Sequence, residues 1–149
     1  MTKIIEVGTD LAKAKELLVA DSYTCVAVKS EDILTSTQRG VKPLLEWFGQ
    51  GLNLSGYSVA DKVVGKGAAL LYVLLGIEKL YAGVLSREAY TALSQNGIEV
   101  YTDNLVDRIR NRTNTGYCPI EEAVLDIAEP EKALQVIKDR LAQLSAFNN

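Results

Sequence analysis

Between Asn111 and Ala123 the chain reads Asn-Arg-Thr-Asn-Thr-Gly-Tyr-Cys-Pro-Ile-Glu-Glu-Ala, a window dense in groups able to do chemistry. Pro119 suits the first position of a helix, where a missing N–H costs nothing, and Cys118 then becomes the cap. Glu121 falls three residues on, where a capping carboxylate belongs. Upstream, Arg108, Arg110 and Arg112 alternate with Asp107, Ile109 and Asn111, ahead of the polar loop Thr113-Asn114-Thr115-Gly116. Backbone N–H groups at a helix start, a glycine loop and guanidinium groups together make an anion site, with Arg112, Thr115 and Gly116 as its ligand-binding residues. The same helix start favours the thiolate of Cys118, while Glu121 and Glu122 oppose it. Cys118 is therefore either a nucleophile or a small apolar residue under a capped helix.

A second group of candidates lies at Asp61-Lys62-Val63-Val64-Gly65-Lys66-Gly67. Read as the opening of a long helix over about Ala60 to Leu75, capped by Ser58 and ended by Gly76, it puts Lys62 and Lys66 on one face. Cations there oppose the helix dipole by roughly 0.3–1 kcal/mol each. Two interior glycines cost about 1 kcal/mol each relative to alanine. A bound anion held by Lys62 and Lys66, with Gly65 giving it room, offsets those losses. The structural alternative is that the glycines allow close packing and the lysines are solvated or paired with Asp61. From Gly67 to Leu75 the segment is apolar all round and predicts a buried helix.

These candidates need elements to hold them. Thr9-Asp10 caps a helix over Leu11–Ala20, and Tyr23–Val28 with Ile33–Thr35 reads as a strand hairpin. A short helix follows Pro43, then the long helix, a strand over Lys79–Leu85, a helix over Arg87–Gln95 and a strand over Ile98–Tyr101. Helices over Pro119–Ile127 and Pro130–Leu144 close the chain. Helices alternating with strands predict an α/β layered sheet with parallel pairings after an opening hairpin. With 149 residues, 48% of them hydrophobic, the chain fits one domain with a real core.

Composition narrows the chemistry. The net charge of −3 argues against nucleic acid as a partner. The uncharged run Gly67–Ile77 is too short to span a bilayer, and the first residues do not read as a signal peptide, so a cytoplasmic protein is expected, with Cys25 and Cys118 as free thiols. The chain contains no histidine, which removes every imidazole base and ligand. Two cysteines then leave too few ligands for zinc, and no metal or other cofactor is expected.

Three segments in order, Gly40-Val-Lys-Pro-Leu-Leu, Ser58-Val-Ala-Asp-Lys-Val-Val-Gly-Lys-Gly-Ala-Ala and Thr115-Gly-Tyr-Cys-Pro-Ile-Glu with Ala123-Val-Leu-Asp, resemble an uncharacterised prokaryotic domain-of-unknown-function family placed in the cytidine-deaminase-like superfamily. The resemblance covers nearly the whole chain. It implies a three-layer α/β/α sandwich built as helix, hairpin, helix, strand, helix, strand. Zinc deaminases carry His/Cys-x-Glu at the second core helix and Pro-Cys-x-x-Cys at the third. Here Asp61–Lys66 and Ser86–Tyr90 stand at those positions, without a zinc ligand set, so deaminase chemistry does not transfer. The superfamily also includes formate dehydrogenase accessory proteins that pass sulfur.

Three functions remain open. The first is a domain binding a small anionic or nucleotide-like ligand through Lys62, Lys66 and Gly65. The second is a metal-independent enzyme or sulfur carrier, with Cys118 as nucleophile or sulfur carrier, Lys66 or Lys62 polarising the substrate and Asp61 as base or orienter. The third is a non-catalytic interaction subunit. Sheet edges in such sandwiches make a homodimer the expected assembly.

Overall fold

In the computed structural model, which describes residues 4–111 and 115–147, eleven elements build a fold around a mixed five-stranded sheet. Helix α1 (Asp10–Ala20) is followed by the hairpin β1 (Cys25–Lys29) and β2 (Asp32–Ser36), then α2 (Lys42–Gly49). Next come β3 (Ser58–Val64), α3 (Lys66–Leu75), β4 (Lys79–Ser86), α4 (Arg87–Gln95) and β5 (Glu99–Val106). Helices α5 (Pro119–Ala123) and α6 (Pro130–Phe147) complete the described chain. The strand order is β2-β1-β3-β4-β5. β1 runs antiparallel to both β2 and β3, while β3, β4 and β5 are parallel.

The local chemistry accounts for most of these elements. Thr9 caps α1, its hydroxyl accepting from the Ala12 N–H at 3.2 Å, and Leu11, Ala14 and Leu18 form the buried stripe. That stripe meets Val26, Val28, Ala60 and Tyr81 on one face of the sheet. The opposite face carries the larger core, to which α2, α3, α4 and α6 contribute Leu44, Trp47, Leu70, Tyr72, Leu93 and Ile137. Two covered faces explain why β1 is buried at four successive positions instead of alternating. The arrangement is compatible with an α/β/α sandwich. Gly76 ends α3 at φ 80°, a left-handed cap that suits glycine.

One expectation fails. Residues 58–64 are the central strand β3, and the helix begins only at Lys66. Ala60, Asp61 and Lys62 suit a helical turn, but Val59, Val63 and Val64 are β-branched and β3 pairs on both sides. Ser58 therefore caps no helix, and Lys62 and Lys66 share no helical face. Strand β5 is longer than the sequence pattern predicts and α5 shorter. From Gly67 to Tyr72, and again at Leu75, α3 is buried, as its uniform apolarity requires.

Candidate functional site

The C-terminal ends of β3, β4 and β5 lie at one end of the sheet, where α3 and α4 begin and where α5 returns after β5. Crevices at this end of parallel strands are where α/β folds commonly bind ligands. Here the start of α3 is already occupied by the protein. Glu121, only 4% exposed, accepts the Gly67 N–H at 3.0 Å. It thus caps α3 and not its own helix, correcting the expectation drawn from its spacing to Cys118. A Cβ on Gly65 would overlap the Glu121 carboxylate, and one on Gly67 would lie 2.9 Å from Ile120 Cγ2. The two glycines therefore make room for α5, not for a ligand.

The lysines separate. Lys62 is exposed on β3. Lys66 is the first residue of α3, and its Nζ donates to the Leu125 carbonyl at 2.8 Å. It also lines a groove of about 330 Å³ between α3 and α4, together with Leu70, Arg87, Glu88, Thr91, Gln95 and Asn96. Arg87 is in turn the first residue of α4, whose start is capped by the Ser86 hydroxyl, accepting from the Ala89 N–H at 3.1 Å. The Arg87 Nε lies 2.8 Å from Asp107 Oδ1 in an exposed pair, of a kind that contributes little to stability. One hydrogen bond uses one of the three N–H donors of Lys66, and the Asp107 contact uses one of the five of Arg87. Both cations sit at helix N-termini, where the dipole disfavours them.

Asp61 belongs to a different cluster. Only 7% exposed, it lies directly across the ladder from Cys25 and meets α3 through Tyr72. The Tyr72 hydroxyl donates to Asp61 Oδ2 at 2.6 Å and lies 3.0 Å from Cys25 Sγ. Burial raises the Asp61 carboxyl from 3.8 to about 7, against the opposing hydrogen bonds from Tyr72 and the backbone. Burial likewise pushes up the Cys25 thiol and the Tyr72 hydroxyl, with the Asp61 charge adding to both. The sequence does not reveal this network, since three such residues far apart in the chain carry no spacing signal.

The Thr115–Cys118 segment folds back on the residues after β5. Arg110 and Tyr117 form a bridge, the Asn111 N–H donates to the Gly116 carbonyl, and the Cys118 N–H to the Ile109 carbonyl. Asn111 Oδ1 accepts the Thr115 N–H at 3.0 Å, so that loop donor serves the turn itself. Cys118 is the partly exposed N-cap of α5, with Pro119 at the start of the helix as expected. Arg112 lies outside the described residues. The two sequence motifs meet through Glu121 and Gly65. Their three proposed catalytic groups stand apart: Lys66 reaches Leu125, Asp61 holds Tyr72 of α3, and Cys118 stands at the N-cap position of α5 with no capping bond from its side chain. Among the described residues, no three His, Cys, Asp or Glu side chains gather as metal ligands, and no helix is long and apolar enough to cross a membrane.

A larger hollow of about 830 Å³ lies on the other face, beside α1 and lined by Tyr81, Tyr101 and Asp103 of β4 and β5. Polar groups there satisfy one another: Lys15 Nζ sits 4.6 Å from the Tyr81 ring centroid, and the Tyr81 hydroxyl donates to Asp103 at 2.6 Å. Burial, then Asp103, pushes that hydroxyl up to about 12. The smaller groove, with two cations that keep donors to spare, is the better candidate for recognition.

An open α/β sheet with a charged groove between two of its helices defines a class of domain, not a reaction. The chain belongs to the family described as "TM1506: Domain of unknown function (DUF1893)", whose model matches residues 13–141. It is similar to the crystal structure of a DUF1893 family protein (TM1506) from Thermotoga maritima, with a TM-score of 0.83 and 25% identity over 94% of this chain and 95% of that one. No curated protein matches it.

Proposed function

We propose that this chain is a binding domain for a small anionic or nucleotide-like ligand, received in the groove between α3 and α4. The observation that carries this reading is the pair Lys66 and Arg87, which open two adjacent helices and line one groove. The helix dipole disfavours both cations; the exposed carboxylate of Asp107 offsets Arg87, whereas Lys66 meets only the Leu125 carbonyl. Glu121 and Ser86 each take one backbone N–H at these helix starts, and the Lys66 and Arg87 side chains carry the recognition. A groove of about 330 Å³ suits a compact ligand bearing phosphate or carboxylate.

The wider reading keeps the chain in the zinc-free branch of the cytidine-deaminase-like superfamily, as a single cytoplasmic domain. Its order of helix, hairpin, helix, strand, helix, strand supports that placement. The edge strands β2 and β5 offer surfaces for a homodimer. Lys62 stands on the strand leading into the site, and Thr115 and Gly116 precede the bridge at Tyr117, so all three remain peripheral candidates. No observation favours catalysis by Cys118.

Thermal melts with pyrophosphate and with nucleoside monophosphates test the binding reading. The melting temperature should rise in wild type and the rise should shrink in Lys66→Ala and in Arg87→Ala. Equal rises in all three proteins, or none in wild type, would reject the groove.

A further inference from the structure

Arg108 presents a problem that the groove does not solve. It follows β5 closely, and its Cζ lies 4.0 Å from the Tyr117 ring centroid, a cation–π contact. Its Nε and Nη2 atoms are shut off from solvent and meet no hydrogen-bond acceptor among the described residues. An Nε–H and an Nη–H side by side form an edge of the guanidinium, the fork that matches two oxygens of a carboxylate or phosphate in parallel bonds. Charged donors withdrawn from water without an acceptor are costly, and native structures pair them. Asp107, the adjacent carboxylate, is engaged by Arg87. Arg110 adds a second guanidinium 5.7 Å from the same ring. Tyr117 is itself 42% exposed, so the ring over the guanidinium lies at the protein surface.

We propose that Arg108 is the oxyanion-binding group of a second site, holding a carboxylate or phosphate through Nε and Nη2 while Tyr117 covers the guanidinium. This inference is independent of the groove between α3 and α4. It rests on an unpaired fork instead of an open cavity, so the entering oxyanion supplies the acceptors that the described residues do not.

The test uses the full chain with two probes, inorganic phosphate and acetate, against chloride at equal ionic strength. Arg108→Lys keeps the charge and removes the fork. In a Lys66→Ala background, which weakens the groove, a titration followed by the melting temperature should still show phosphate or acetate binding, weakened about tenfold or more when Arg108→Lys is added. Which probe binds more tightly identifies the oxyanion class. In wild type, the side-chain Nε–H resonance of Arg108 should move downfield as the probe is added, a readout that does not depend on the variant folding. Binding undiminished by the added Arg108→Lys, no binding left in the Lys66→Ala background, or an Nε–H resonance that neither probe moves would each overturn the proposal.

Discussion

Asp61 shows how a residue's chemistry depends on what the chain builds around it. In sequence it is an acid beside a lysine, available as a base. In the fold it is buried with Cys25 and Tyr72, and its carboxyl is raised from 3.8 to about 7. A raised carboxyl means that the folded chain binds the proton more strongly than the unfolded chain does. The stabilisation is complete below the ordinary carboxylate range and is lost as pH rises through about 7. Comparison of denaturant unfolding for wild type and Asp61→Asn should therefore show wild type losing stability relative to the variant across that window; a constant difference would mean that Asp61 titrates normally. The two cysteines differ in the same way. Cys25 is buried with a raised thiol, whereas Cys118 is partly exposed. Alkylation of the folded protein should label Cys118 faster, and labelling of Cys25 should wait on unfolding. Equal rates would contradict the burial assigned to Cys25. The exposure of Cys118 alone does not make it a nucleophile.

At the scale of elements, the joint between α5 and α3 links the two motifs that stand out in the sequence. Glu121 replaces the anion expected at the α3 start, and Gly65 leaves space for it. Glu121→Ala should cost about 1–3 kcal/mol through the lost cap and the buried N–H of Gly67 left without its acceptor. Gly65→Ala should cost a similar amount, about 1–3 kcal/mol, because the added methyl displaces that carboxylate. Chemical denaturation of both variants checks this; a loss below about 0.5 kcal/mol in each would show that the joint is not structural. Local signals make several elements legible: Thr9 marks α1, Gly97 follows the end of α4, and Pro119 opens α5. Strand β3 is not legible, because its helix-compatible Ala-Asp-Lys centre is overridden by pairing with β1 and β4. Lys66 stands out in the sequence from its apolar surroundings. Arg87 does not, since only the packing of α4 beside α3 brings the two to one groove.

On the scale of the molecule, the sheet divides its work. One face and α1 enclose the smaller core, and the other supports α2, α3, α4 and α6 over the larger one. The right-handed βαβ rule puts successive parallel crossovers on one side of a sheet running in one direction. That is why α3 and α4 lie together, and why their first residues can act on one ligand. The most direct measurement of this claim is an amide chemical-shift map of the wild-type protein titrated with pyrophosphate. The account predicts saturable shifts centred on Lys66, Leu70, Arg87, Thr91 and Gln95, with residues of α1 unmoved. Shifts confined to the hollow beside α1, or none at the starts of α3 and α4, would contradict it.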